Sequence, residues 1–261
     1  MSSGAVVALS GGVGGAKLAH GLAQVLPPDL LTVVCNNGDD FEYHSLTVCP
    51  DLDSVTYALS GLDDRERGWG RADETWNFHQ TLGSFSQATW FQIGDRDLAL
   101  HVWRTDQLRR GRSLTEVTHE AASRLGVKVR LAPMTDHPVR TIVHTDRGTL
   151  AFQEYFVRER CVPRVLRLEY AGAETAIPSF AAARLTASPP PRAVVICPSN
   201  PWLSIGPILA IPGWRAALTA TPAPVVAVSP IVGGRALKGP AAKIMAELGI
   251  EVSPLRAARY Y

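Results

Sequence analysis

Asp39, Asp40, Asp51 and Asp53 place four carboxylates within fifteen residues, in the stretches NNGDD and CPDLDS. A hard divalent cation such as Mg²⁺ takes one or two carboxylates together with phosphate oxygens, so this set is suited to joining a cation to a phosphate. A cradle for that phosphate lies upstream, where Ser10 to Gly15 read SGGVGG. Four glycines in six residues let the chain turn sharply and let its backbone approach a ligand that a Cβ would obstruct. The amides opening the following helix point outward with partial positive charge, which favours an anion. Lys17, one turn in, can reach the same anion. Neither standard nucleotide pattern is met, since the stretch is neither GxGxxG nor GxxxxGK followed by Ser or Thr. On these residues alone a ligand-free strand-to-helix turn stays open, as do a surface turn for NNGDD and an N-cap role for one of Asp51 and Asp53.

The elements that must position these groups can be read from the apolar pattern. Ala5–Leu9 is a strand, Ala16 to about Leu26 a helix, Pro27-Pro28 a break and Leu31–Cys35 a second strand. A helix between two apolar strands is a parallel βαβ unit, and ligands of open α/β sheets gather at the carboxyl ends of the strands. Two later apolar runs, Ala193–Cys197 and Val225–Val228, read as buried strands of the same sheet. They feed PSNPWLSIGP, with Ser199, Asn200 and Ser204, and SPIVGG, with Ser229 and Gly233; Lys238-Gly239-Pro240 and a helix to Leu248 follow. Three Ser/Gly/Pro loops at one carboxyl edge suit a large phosphorylated ligand with several polar parts. Between these halves, 61–126 is rich in aromatic residues, among them Trp69, Trp76, Trp90, Phe91 and Trp103, and reads as a small, mainly helical subdomain. Within it Gly94-Asp95-Arg96-Asp97 reads as a compact charged turn, and Ser113 with Glu116 opens a helix that Gly126 closes. Val127–Leu131, Val139–Thr145 and Leu150–Val157 read as further strands, and His137, between Asp136 and Pro138, as a loop histidine that could be a base although a lone loop histidine more often is not.

Composition narrows the class. Of 261 residues 46% are hydrophobic and 19% charged, enough apolar chain for a sizeable core, and the net charge of +2 gives no case for a nucleic-acid or membrane-surface partner. No run reaches the ~18 apolar residues of a spanning helix, and the amino terminus lacks the pattern of a signal peptide. Cys35, Cys49, Cys161 and Cys197 form no CxxC pair, which argues against zinc and for free thiols in a reducing cytoplasm. An NAD(P) oxidoreductase is disfavoured, because GxGxxG is absent and no acidic residue closes the second strand in the ribose-binding manner.

Together LSGGVGGAKLAHGL, NNGDD, CPDLDSVTYALSGL, RGWG, WFQIGDRDLALH, LAPMTDHPVRT, FQEYFV, CPSNPWLSIGPIL, VSPIVGGRALKGPAAKIM and the closing YY resemble the CofD family, the 2-phospho-L-lactate transferases of coenzyme F-420 biosynthesis. The resemblance spans nearly the whole chain. It implies an α/β fold, with a Rossmann-like, mostly parallel core over 1–60 and 127–261 and the helical subdomain over 61–126. It implies transfer of a phospholactyl, phosphoenolpyruvyl or phosphoglyceryl group from a guanosine diphospho-linked donor to the terminal hydroxyl of the deazaflavin Fo, with release of GMP and a requirement for Mg²⁺. By the same resemblance Asp39 and Asp40 hold the metal, and Asp53 meets the Fo hydroxyl as the catalytic carboxylate. Ser10, Gly11, Gly12, Gly14, Ser199, Asn200, Ser204, Ser229, Gly233 and Gly239 hold the donor. Gln92 stands at a position that lines the Fo site and is often basic in archaeal members. The family suggests a homodimer, and its members run some tens of residues beyond the paired tyrosines. The other reading the fold allows is a non-catalytic nucleotide-sugar-binding regulator of the YvcK type.

Overall fold

The computed structural model describes residues 4–86 and 89–261. Strand β1 (Val6–Ser10) leads through helix α1 (Val13–Val25) to β2 (Leu31–Cys35). A hairpin of β3 (Phe41–Tyr43) and β4 (Leu46–Val48) precedes α2 (Pro50–Ser60), α3 (Asn77–Leu82), α4 (Asp95–Arg109) and α5 (Leu114–Arg124). Then come β5 (Arg130–Pro133), β6 (Arg140–Thr145), β7 (Gly148–Ala151), β8 (Val165–Ala171) and β9 (Ala193–Ile196). The last part holds α6 (Gly206–Ala210), α7 (Pro212–Ala220), β10 (Val225–Ala227), β11 (Ile231–Val232), β12 (Arg235–Ala236), α8 (Ala241–Glu247) and α9 (Pro254–Ala258).

Five strands form the central sheet in the order β10-β9-β1-β2-β5, and every neighbouring pair is parallel. Strand β1, in the middle, is buried along its whole length, as a strand covered on both faces must be. Its side chains alternate between two cores. Val7 and Leu9 join Val34, Ile196, Ile208 and Trp214 on one face. Val6 and Ala8 join Ala19, Val33, Leu52 and Val55 on the other. Trp214 is fully buried, and its indole donates to the Met134 carbonyl at 2.8 Å, which satisfies the ring's one polar atom. The register sets Ser10 beside Cys35 and Leu9 beside Ile196, so the loops after β1, β2 and β9 leave from one edge.

Local chemistry fixes the helices that reach this edge. Gly12 caps α1. Helix α2 starts with Pro50 at its first position, carries Asp51 and Asp53 in its first turn, and ends on Gly61 at φ 72°. A proline at the start, acids in the first turn and a left-handed glycine at the end each favour a helix there. Helices α1 and α2 pack side by side. Helix α5 carries a full capping box of Ser113 and Glu116 and packs against β5 and α2. Strands β7, β6 and β8 make a separate antiparallel sheet. No helix among the described residues is long and apolar enough to cross a membrane.

Three sequence expectations are corrected. The strand predicted over Leu150–Val157 stops at Ala151, and Glu154–Arg158 winds a π-helical turn. Phe152, Tyr155 and Phe156 have helical spacing, which stacks Phe152 on Phe156 at 5.4 Å. Val225–Val228, predicted to be buried, contributes the outer strand. It pairs with β9 on one side only, and Val225 and Val226 are 44% and 51% exposed. Gly94-Asp95-Arg96-Asp97, predicted as a turn, opens α4. Glu74 accepts the Arg96 and Asp97 amides, each at 2.8 Å, and so satisfies donors that a helix start leaves free. Arg96 is exposed.

Candidate active site

The glycine loop is locked to the loop after β9. Gly11 donates its amide to Ser199 Oγ at 2.9 Å, and Ser10 Oγ donates to the Gly11 carbonyl at 2.7 Å. A Cβ on Gly11 would strike Ser204, and one on Gly12 would strike the Asp51 carboxylate; the glycines are needed here for close approach. Asn200 accepts from the Trp202 and Leu203 amides at 3.0 and 3.1 Å and so caps the π-helical turn Pro201–Ile205. The structure thus brings Ser10, Gly11, Gly12, Ser199 and Ser204 together. Gly14 lies beside them, where a Cβ would sit 2.7 Å from the Pro198 carbonyl. Ser229, Gly233 and Gly239 belong to the patch after β10 whose Lys238 lies near Lys17; burial and then the Lys17 charge lower the pKa of that amine. Ser229 Oγ is engaged with Ile231 of its own loop, and Gly233 and Gly239 are exposed at φ 57° and 72°. That patch is tied to the chain's middle by Lys238, which donates to the Gly68 carbonyl at 2.7 Å.

Beside the glycine loop sits a cluster of buried acids. Asn36 gathers it, donating from Nδ2 to Asp39 Oδ1 at 3.3 Å and to Asp51 Oδ2 at 2.9 Å while its Oδ1 accepts the Gly38 amide at 2.8 Å. Gln153 donates to Asp39 Oδ2 at 3.1 Å, and Asp51 lies against Gly12, whose amide draws its carboxyl down, though by less than burial raises it. Burial, then the charges of Asp51 and Asp40, hold the Asp39 carboxyl well above its usual range. Burial pushes Asp40 up to about 7 and Asp51 up to about 6. Asp40 Oδ1 is buried without a hydrogen-bond partner. Crowded, desolvated carboxylates resist ionisation unless positive charge is supplied. Hard oxygen donors with one orphaned atom fit a divalent cation such as Mg²⁺. Asp51 is the residue that sequence reasoning named in the acidic set without giving it a site role. Its place one residue into α2, against the glycine loop, is a tertiary fact.

Asp53 faces elsewhere. Two residues along a helix turn a side chain by about 200°, and Asp53 meets α4 instead of the glycine loop. Arg104 clamps it with both terminal nitrogens, Nη1 reaching Oδ2 at 3.1 Å and Nη2 contacting Oδ1. His101 Nδ1 stands 3.7 Å from the same carboxylate, and its Nε2 stands 3.3 Å from Asp97 Oδ2. Tyr57 donates to Asp97 Oδ1 at 2.5 Å. Burial pushes the Asp97 carboxyl up, but His101 and the Tyr57 hydroxyl outweigh it, and the group lies below its ordinary value.

Gln92 is exposed on the loop before α4. Trp90 and Phe91, expected in the core of a helical subdomain, pack against Phe41 and Tyr43 of the β3–β4 hairpin at 4.9 to 6.0 Å. Trp69 and Trp76 hold the Arg67 guanidinium between them, 4.9 Å from each ring. A cavity of about 310 Å³ opens between α1, α2 and this loop, bordered by Val13, Lys17, Ser54, Arg65 and Trp69. A more open hollow of about 880 Å³, bordered by Tyr170, Gly206, Arg215 and Tyr260, touches none of the carboxylates.

The sequence profile described as 2-phospho-L-lactate transferase CofD matches residues 6–259. A phosphoenolpyruvate transferase of Kitasatospora aureofaciens is 44% identical over 262 residues, covering 98% of this chain and 81% of that protein. A 2-phospho-L-lactate transferase of Methanococcoides burtonii is 42% identical over 248 residues, covering 95% and 80%. Among solved structures, a UPF0052 family protein of Bacillus halodurans superposes with a TM-score of 0.57 at 18% identity, covering 85% of this chain and 67% of that one; this likeness shows the shared fold. A match along almost the whole length, with relatives above 40% identity, assigns the chain to the CofD family.

Proposed function

We propose that the protein transfers a phospho-acyl group from a guanosine diphospho-linked acid to the terminal hydroxyl of the deazaflavin Fo and releases GMP. The observation that carries this reading is the junction of the glycine loop with the acidic cluster, where Asp51 touches Gly12 and shares Asn36 with Asp39. A phosphate cradle and a set of hard-cation ligands are contiguous there, as a diphosphate substrate requires.

In the reaction the Fo oxygen forms a bond to the phosphorus that bears the acid. The bond from that phosphorus to the bridging oxygen breaks, GMP leaves with the electron pair, and the hydroxyl proton is given up. Such a step is accelerated mainly by alignment and by charge placed where negative charge accumulates. The amides of Gly11, Gly12 and Gly14, with Ser199, Asn200 and Ser204, hold the donor. Ser229, Gly233 and Gly239 approach it from the Lys238 loop. Asp39 and Asp40 would hold Mg²⁺, which when bound supplies positive charge to the diphosphate. Asp53 orients the acceptor hydroxyl; a carboxylate paired to both nitrogens of a guanidinium is a weak base, so alignment is its larger contribution. The Fo ring would lie against aromatic residues of 61–126, with Gln92 as a candidate contact.

Incubation with Fo, Mg²⁺ and in turn the lactyl, enolpyruvyl and glyceryl donors, followed by mass spectrometry, tests the proposal. The expected result is GMP together with a phospho-acyl Fo whose mass identifies the acid. Nucleotide binding without GMP release from any donor overturns it.

A further inference from the structure

The Asp53 side of the site contains a buried chain that the transfer step does not itself call upon. Among the described residues, Asp53, Asp97 and His101 are the one group of three acid, histidine or cysteine side chains close enough to share a metal ion. Arg104, however, stands among them. Its Nη1 lies 3.1 Å from Asp53 Oδ2 and 3.4 Å from His101 Nδ1, and its Nη2 contacts Asp53 Oδ1. The guanidinium already supplies the positive charge there, and a cation would have to displace it.

That arrangement fixes the proton on the imidazole. A guanidinium nitrogen can only donate, so a ring nitrogen facing it must offer its lone pair. Nδ1 is therefore the acceptor, and the proton of the neutral ring sits on Nε2. Nε2 faces Asp97 Oδ2 at 3.3 Å, off the line of a full hydrogen bond but close enough for the N–H to be drawn to the carboxylate. Asp97 is itself held, by the Tyr57 hydroxyl at 2.5 Å and by Glu74, which accepts its amide at 2.8 Å. The neighbouring turn is rigid too, because Thr105 donates to the His101 carbonyl at 2.7 Å and accepts the Thr47 amide at 2.8 Å. His101 and Arg104 are 1% and 4% exposed.

We propose that His101 is a positioning residue for the transfer. As the tautomer protonated on Nε2 and backed by Asp97, it fixes the Arg104 guanidinium, which clamps both oxygens of Asp53 and leaves only their outward lone pairs for the acceptor hydroxyl. The inference rests on the reading of Asp53 as the group that meets that hydroxyl. A side chain of the same length without an acceptor lets the guanidinium rotate and lets Asp53 turn with it. Misplacement by about 1 Å costs on the order of 100-fold in rate.

The test compares His101→Leu with His101→Gln, whose amide oxygen can accept from Arg104. Wild-type transfer is measured first, and its absence refutes the functional reading independently of what the variants do. With transfer established, His101→Leu is expected to lower kcat about 100-fold while KM for the nucleotide donor stays at its wild-type value. His101→Gln is expected to recover most of the loss. Nitrogen-15 spectra of the wild-type ring, which need neither activity nor a variant, are expected to show one protonated nitrogen, Nε2, and one bare nitrogen, Nδ1. A wild-type kcat in His101→Leu, no recovery in His101→Gln, or a ring protonated on both nitrogens overturns the proposal.

Discussion

Asp51 and Asp53 stand two residues apart on the first turn of α2, and the helical twist sends them to different company. Asp51 joins Asp39 and Asp40, where no protein cation forms an ion pair with any of the three among the described residues, and burial holds their carboxyls above the usual range. Asp53 meets Arg104 in a two-point ion pair with His101 and Asp97 behind it. Asp40 feels the charges of Arg140 and Arg104 only at a distance, whereas Asp53 has its cation in contact. On the proposed reading the first cluster would take up a cation and the second would keep one carboxylate still.

Four measurements can break or sharpen this contrast. The largest effect belongs to Arg104→Ala, which strands Asp53 as a buried, unpaired charge. Loss of one partner of such a pair costs about 3–5 kcal/mol, to be read from urea unfolding; a loss below ~1 kcal/mol would show that Asp53 does not depend on its clamp. Next is Asp53→Asn, which keeps the shape but releases the guanidinium. Transfer is expected to drop about 100-fold with the fold retained by circular dichroism, and full activity would remove Asp53 from the reaction.

Asp39→Asn is expected to act in the opposite direction on stability. It removes one of the crowded buried carboxyls, so the metal-free protein is expected to gain stability, while stabilisation by added Mg²⁺ disappears. Calorimetric melting with and without the ion reads both, and an undiminished Mg²⁺ response places the ion elsewhere.

The smallest effect is the pH slope of the metal-free protein. Asp40 and Asp51 have folded values of about 7 and 6 against an ordinary 3.8, so between about pH 4 and pH 7 the folded state holds more protons than the unfolded one, and stability falls as pH rises. Saturating Mg²⁺ should flatten that slope. Asp97, held below its ordinary value, has the reverse sign: its contribution is present above about pH 4 and is lost on acidification below that. A metal-free protein whose stability climbs from pH 5 to pH 7 would contradict the account of the first cluster.

Much of this was legible in the sequence, and the rest was hidden for identifiable reasons. The run Val6–Leu9 and the glycines after it announce strand, turn and helix because each depends on neighbours in the chain. Ser199 and Ser204 were placeable at the same edge because β9 is a continuous apolar run beside β1. The partition of the acids was not legible, since Arg104 lies 51 positions from Asp53 on another helix and nothing local couples them. Val225–Val228 misleads for a related reason: apolar composition reports what a strand can tolerate, and only the sheet order shows that β10 lies outermost. Leu150–Val157 misleads because its aromatic residues satisfy both a strand's composition and a helix's spacing, and the π-helical turn satisfies the second.

The contact between Asp51 and the Gly12 amide has a consequence for the order of events. A carboxylate already faces the amide that a phosphate oxygen would face, so on the proposed reading the protein carries its own competitor in the cradle. An incoming diphosphate has to displace an anion from an amide, and a cation that draws Asp51 away makes the vacancy. Nucleotide affinity and cation affinity are then coupled, and each ligand strengthens the other by the same factor. On the proposed reading the side chain in the mouth of the loop would act as a gatekeeper against a diphosphate that arrives without its metal.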